Sequence, residues 1–166
     1  LSVVTVALHL TCFGLDPMKN KGMEGIDTHQ QDRVQRAIEG GEAHLNAMQD
    51  AILRLRLRPM ETRVERFILT ARDLFRTVEE DPRDLTSARK YLSVYLQGAR
   101  DATVAFVDVY QRTGDADAKA EYLSLLDDLE QNFAARTQKL LSDDRTDLTI
   151  EIDVLRDRLA REAQKH

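Results

Sequence analysis

Apolar residues recur along the chain at alternating spacings of three and four positions. The first such seam lies between Gln30 and Leu57 and comprises Val34, Ile38, Gly41, Leu45, Met48, Ile52 and Leu55. This spacing places all seven positions on one face of an α-helix, which is the pattern of a helix that packs along another helix. Within the seam, Gly40-Gly41 weakens the helix locally and would let a neighbouring helix approach closely.

Breaks in the pattern divide the rest of the chain into further seams. Arg58-Pro59 ends or kinks the first helix and suits the start of the second, Asp81-Pro82 places an acidic cap before a proline, and Thr113-Gly114 ends the third. The seam positions are Val64, Phe67, Ala71, Leu74 and Val78, widened by Ile68 and Phe75, then Leu85, Ala88, Leu92, Leu96 or Tyr95, Ala99, Ala102, Phe106 and Val109, then Tyr122, Leu125, Leu126, Leu129, Phe133, Leu140 and Leu141.

The last segment, from Leu148 to Ala163, begins ambiguously. Residues 148–154 alternate between apolar and polar side chains as a strand does, but Leu148, Ile152, Leu155 and Leu159 also fit a helix. A lone strand would have no partner, so we predict a helix that begins after a break near Ser142. The sequence therefore predicts an all-α protein, an elongated bundle of four to five long amphipathic helices with coiled-coil-like packing over residues 30–163.

The first fifteen residues form an apolar run without a polar stripe. As a helix they would reach about 22 Å, less than the roughly 30 Å of a bilayer core, so we interpret them as part of a transmembrane helix. A buried core helix, a helix in the membrane plane and a signal peptide are the alternatives. Lys19 and Lys21 place the helical domain on the cytoplasmic side of the inner membrane. Residues 16–29, with Pro17 and two glycines, are predicted to be a flexible linker.

Charge is distributed unevenly, although the net charge of −5 argues against binding to nucleic acid. The segment from Arg54 to Arg76 is rich in arginine, and the segment from Asp115 to Asp157 is rich in acids. We expect these segments to pack or oligomerise in a charge-complementary register. The candidate interaction residues are Arg54, Arg58, Arg66, Asp143, Asp144, Asp147 and Glu151.

The usual signatures of catalysis are missing from the sequence. The four histidines are far apart, no zinc-binding helix motif or glycine-rich phosphate loop occurs, and the single Cys12 is not followed by the arginine of a cysteine phosphatase loop. The acids from Asp143 to Asp153 could hold a hard cation, but capping of the last helix together with a solvated face is the favoured explanation. We therefore assign no catalytic, metal or cofactor-binding residue and expect no cofactor.

The second half of the chain resembles a known bacterial family. The residues that carry the resemblance are Tyr91-Leu92, Ala99, Tyr110, Phe133, Lys139-Leu140-Leu141, Asp143-Asp144, Asp147-Leu148 and Glu151-Ile152-Asp153-Val154-Leu155. They are similar to those of the "5-bromo-4-chloroindolyl phosphate hydrolysis" proteins, the XpaC-type family. The resemblance implies a membrane-anchored helical protein associated with toxic-anion (tellurite-type) resistance proteins, and it supplies no established catalytic residues.

Three functions follow as hypotheses. The first is a membrane-tethered, cytoplasmic-facing helical module without enzymatic activity, which binds a protein partner or another copy of itself. The second is a phosphatase-type hydrolase of indolyl phosphate esters, which would need a metal pair or an activated nucleophile that this sequence does not display. The third is a self-assembling coiled-coil protein that remodels membranes.

Overall fold

A computed structural model of the chain describes residues 24–165, which are almost entirely helical. The elements are α1 (Glu24–Leu53), α2 (Arg58–Glu80), a 3₁₀ turn (Pro82–Asp84), α3 (Leu85–Lys90), a π-helical turn (Tyr91–Tyr95), α4 (Leu96–Thr113) and α5 (Ala116–Lys165). The stretch from α3 through α4 is continuous, so the described part of the chain forms four long helical stretches and contains no strand. The prediction of an all-α protein is confirmed.

Three of the predicted breaks are confirmed, and each has a local cause. Pro59 lies in the first turn of α2, where its missing N–H group costs nothing. The Asp81 side chain accepts a hydrogen bond from the backbone N–H of Arg83 at 3.1 Å and so caps the 3₁₀ turn. Gly114 adopts the left-handed conformation, with φ of 62°, and donates its N–H to the Tyr110 carbonyl at 2.9 Å. Glycine reaches this conformation without the steric cost of a Cβ atom.

The predicted break near Ser142 is wrong. Helix α5 runs from Ala116 to Lys165 without interruption and contains neither glycine nor proline. The serine and acids that resemble a helix cap instead lie on the surface of a continuing helix. The ambiguous segment after Leu148 is helical, as predicted.

The N-terminal predictions are covered only in part by the described residues. Helix α1 begins at Glu24, so residues 24–29, predicted as the end of the linker, are helical. The apolar run at residues 1–15 and the linker up to residue 23 lie outside the described residues. Among the helices that are described, none combines the length and the apolar character that crossing a membrane requires.

The helices form a bundle of two antiparallel pairs, α1 with α2 and α4 with α5. Between the pairs, α4 lies along α1 and α5 lies along α2, and both of these packings are parallel. The chain reaches this arrangement by crossing one end of the bundle through the 3₁₀ turn. The core consists almost entirely of the predicted seams and includes an edge-to-face contact between Phe67 and Phe133, whose ring centroids lie 5.3 Å apart.

The close helix approach predicted at Gly40-Gly41 occurs at Gly41 alone. Gly41 is buried, and a Cβ atom added to it would lie 2.7 Å from Cζ of Phe75 on α2 and 3.3 Å from Cδ1 of Leu96 on α4. The same addition at Gly40 would meet no atom within 4 Å. Gly41 therefore allows two neighbouring helices to approach α1 at the same level.

Helix α5 extends well beyond the bundle. Leu140 is its last buried residue, Asp144 is partly buried, and every residue from Arg145 to Lys165 is exposed. At 1.5 Å per residue, the fully exposed residues 145–165 project about 31 Å from the bundle. We refer to residues 141–165 as the α5 tail.

Candidate functional site

Three carboxylates meet where the chain crosses the end of the bundle. The 3₁₀ turn supplies Asp81 and Asp84, and α5 supplies Asp144. Each residue offers one carboxylate oxygen, and these oxygens lie within 4.8 Å of one another. We call this group the acidic corner. Oxygen ligands at such spacing suit a hard cation, but acids on a protein surface often cluster this way without one.

In the acidic corner, Asp81 has a cationic hydrogen-bond partner and Asp84 does not. Arg83 donates two side-chain hydrogen bonds to Asp81, at 2.9 and 3.0 Å, and these bonds hold the pKa of Asp81 below its usual value. Asp84 has no such partner, and its Oδ2 atom is buried without a hydrogen bond from any described residue. Burial, followed by the negative charges of Asp144 and Asp81, raises the pKa of Asp84 to about 6.

Of the acids singled out from the sequence, the structure brings only Asp144 into the acidic corner. Asp143 is exposed, with a carboxylate oxygen 3.9 Å from Nζ of Lys139, and Asp147 and Glu151 lie exposed farther along α5. Asp81 and Asp84 were not predicted from the sequence to contribute to a site. Asp81 was recognised only as a helix cap, and no local signal pairs it with a residue more than sixty positions away.

The arginine-rich helix packs against the acid-rich helix, as predicted. Arg63 and Arg66 of α2 both pair with Asp127 and Glu130 of α5, and the distance from Arg66 Nε to Glu130 Oε1 is 3.1 Å. The candidate residue Arg66 therefore belongs to an ion-pair network at the surface between α2 and α5.

Arg54 and Arg58 are exposed around the turn between α1 and α2, at the end of the bundle opposite the acidic corner. Gln111 Nε2 of α4 donates a hydrogen bond to the Arg54 carbonyl oxygen there, at 3.4 Å. The structure therefore does not join these two arginines and the candidate acids into one surface.

The α5 tail carries a dense row of exposed apolar side chains. These residues are Leu141, Leu148, Ile150, Ile152, Val154, Leu155 and Leu159, with exposed fractions from 40% to 62%. Five of them, Leu141, Leu148, Ile152, Leu155 and Leu159, belong to the predicted seams and were expected to be buried. Leu141 borders a groove against α2, and the residues from Leu148 onward are exposed. Exposed apolar residues concentrated on one element mark a surface that binds something else.

The fold and these surfaces describe a helical bundle with a projecting helix and without an evident catalytic constellation among residues 24–165. The model of the family described as "5-bromo-4-chloroindolyl phosphate hydrolysis protein" matches residues 1–155. The chain therefore belongs to this family, and the relationship extends over the first half of the chain as well as the second. No curated protein and no solved structure matches the chain.

Proposed function

We propose that this protein is a membrane-tethered helical module that binds a protein partner or another copy of itself and is not an enzyme. The observation that carries the proposal is the α5 tail, which holds a row of apolar side chains outside the bundle. Water contact with so many leucine and isoleucine side chains is unfavourable, and amphipathic helices commonly bury such faces against a partner helix or groove.

The tether is the apolar run at residues 1–15, and Lys19 and Lys21 favour a helical domain on the cytoplasmic side of the inner membrane. Gln30, near the start of α1, lines the same cleft as Asp81 and Arg83, so α1 begins at the end of the bundle from which the α5 tail projects. The tail would therefore stand close to the membrane. The partner suggested by the family resemblance is a toxic-anion resistance protein.

Membrane attachment and partner binding can be tested together. We expect the full chain to sediment with membranes and a variant lacking residues 1–15 to remain in the soluble fraction. In a pull-down from native membranes, replacing Leu148 and Leu155 with aspartate should abolish partner capture, whereas replacing the exposed Leu69 of α2 should not. Equal capture by both variants would contradict binding through the tail.

The family description raises hydrolysis of phosphate esters as the alternative. If this chain were such a hydrolase, the acidic corner is where described carboxylates converge. We expect the purified full chain not to hydrolyse indolyl or nitrophenyl phosphate, with or without magnesium, manganese or zinc. Metal-dependent turnover that is lost in Asp144→Asn and retained in Asp143→Asn would refute the proposal, because Asp143 lies on the same helix but outside the corner.

A further inference from the structure

We infer that the α5 tails of two copies of this chain pair as an antiparallel coiled coil. The inference rests on the proposed function only in taking the tail as a binding surface, and it specifies what covers that surface. Three features of the α5 tail support this pairing. They are its projecting length, the order of its apolar and charged residues, and the side of α5 on which its apolar residues lie.

A single stripe runs along the tail. Leu148, Ile152, Leu155 and Leu159 are spaced by four, three and four residues and are 40–62% exposed. This is the spacing of the core positions of a heptad repeat, in which side chains of one helix fit between those of another. The same seam continues to Arg145 on one side and to Glu162 on the other.

The two charged seam positions determine the direction of pairing. An antiparallel pairing that sets Leu148 against Leu159 also sets Ile152 against Leu155 and Arg145 against Glu162. A parallel pairing in register would instead set Arg145 against Arg145 and Glu162 against Glu162. Opposite charges that meet within a coiled-coil seam are favourable and like charges are not, so the antiparallel arrangement is preferred.

The residues that flank the seam agree with this register. In the antiparallel arrangement, Glu151 approaches Arg158 of the second copy, and Asp144 approaches its Lys165. The two-fold symmetry of the pair repeats each contact. The alignment also sets Ser142 of one copy near Lys165 of the other, so the two tails overlap along almost their whole length.

The position of the stripe around α5 gives an independent argument. Counting 100° per residue, the stripe lies only about 80° from the face that buries Phe133 and Leu140 in the bundle. If the second tail packed on the stripe parallel to the first, the bundle of the second copy would lie at the same end and overlap the first bundle. In the antiparallel sense, the two bundles lie at opposite ends of the paired tails.

A lipid surface or residues 1–15 of the same chain fit the tail less well. From Arg145 to Lys165 the tail carries five acids and five bases, whereas helices that lie on membranes have a predominantly basic polar face. Residues 1–15 contain no acidic, lysine or arginine side chain that could pair with Arg145 and Glu162. A second copy of the tail provides both the apolar surface and the charges.

The pairing is tested by sedimentation equilibrium of the full chain in detergent at micromolar concentration. We expect the wild-type chain to be a dimer and Leu148→Asp to be a monomer. The matched control is Ile150→Asp, because Ile150 is 56% exposed, as Leu148 is, but faces away from the stripe. It should remain a dimer. A monomeric wild-type chain, or equal effects of the two substitutions, would overturn the inference.

Charge reversal tests the antiparallel register. Arg145→Glu and Glu162→Arg should each weaken the dimer about tenfold or more, because each sets like charges against each other twice per dimer. The double variant Arg145→Glu/Glu162→Arg should regain wild-type affinity. Single variants that dimerise as the wild type does would rule out this register. If the wild type is monomeric but Leu148→Asp still abolishes partner capture, the pairing fails while the proposed function stands.

Discussion

Adjacent glycines in α1 offer a direct test of the packing, because the same substitution at each should have opposite effects. Gly40 is exposed and an added methyl group would meet nothing within 4 Å. Gly40→Ala should therefore stabilise the protein by about 1 kcal/mol, the helix-propensity difference between the two residues. Gly41→Ala gains the same amount from propensity but also introduces a Cβ atom 2.7 Å from Cζ of Phe75.

The cost of that contact follows from the burial of Phe75. Its ring is only 3% exposed, so it cannot move away without disturbing its neighbours. Overpacking of this kind costs about 1–3 kcal/mol, which leaves Gly41→Ala less stable than the wild type by about 1 kcal/mol. The two variants should thus differ by about 2 kcal/mol, or by about 4–8 °C in Tm.

Urea unfolding followed by far-ultraviolet circular dichroism measures this difference. A second-site control is Phe75→Leu, which removes the ring atoms that the new methyl group would meet. In that background Gly41→Ala should become neutral or stabilising, and the coupling energy follows from the double-mutant cycle. If Gly41→Ala stabilises the wild-type protein as much as Gly40→Ala does, the close approach of α2 to α1 at this glycine is refuted.

Three further predictions concern the acidic corner, the apolar run at residues 1–15 and the buried hydrogen bond between the hydroxyl groups of Thr103 and Tyr122. The pKa of Asp84 is raised to about 6 in the folded protein, so on raising the pH the unfolded chain loses this proton first, and stability falls between about pH 4 and pH 6. Asp84→Asn should therefore raise stability at neutral pH by about 1 kcal/mol, after allowance for solvent screening, and have no effect below about pH 4. Urea unfolding across this pH range measures both effects. Deleting residues 1–15 should give a soluble protein with an unchanged circular dichroism spectrum, because the seams bury one another without it, and aggregation or unfolding would instead indicate a core helix. Tyr122→Phe should cost about 1 kcal/mol in urea unfolding, because it removes one hydrogen bond of the buried Thr103 hydroxyl, which then keeps only its bond to the Ala99 carbonyl. An unchanged midpoint would contradict the hydrogen bond between Tyr122 and Thr103.

The parts of the fold that the sequence predicts correctly are those with local causes. Pro59, Asp81-Pro82 and Gly114 each act through their own local chemistry: Pro59 lies in the first turn of α2, Asp81-Pro82 follows the end of α2, and Gly114 follows the end of α4. The heptad seams up to Leu140 likewise identify the core, because burial follows helix periodicity, whereas the last seam, from Leu148 to Leu159, has the same periodicity and is exposed. The predicted break near Ser142 is wrong because serine and aspartate occur both as helix caps and as solvated residues within a helix. Only tertiary context distinguishes these two roles.

The acidic corner could not be predicted for a different reason. It joins Asp84 and Asp144 across the end of the bundle, and that contact depends on which helices become neighbours. Heptad patterns show that a helix has a partner but not which helix it is. The charge pattern did identify one correct pairing, that of α2 with α5, because oppositely charged stretches are recognisable without knowledge of the topology.

The parallel packing of α5 along α2 has a consequence for how the chain folds. Arg63 and Asp127 are 64 positions apart, whereas Arg72 and Glu42, which join the antiparallel pair α1 and α2, are separated by 30. Much of the core therefore depends on contacts between residues distant in the chain, and closing such long loops slows folding relative to a bundle whose neighbours follow one another in sequence. Neither antiparallel pair covers its own seam until the other docks onto it. We therefore expect the two pairs to fold together in one cooperative step rather than one after the other.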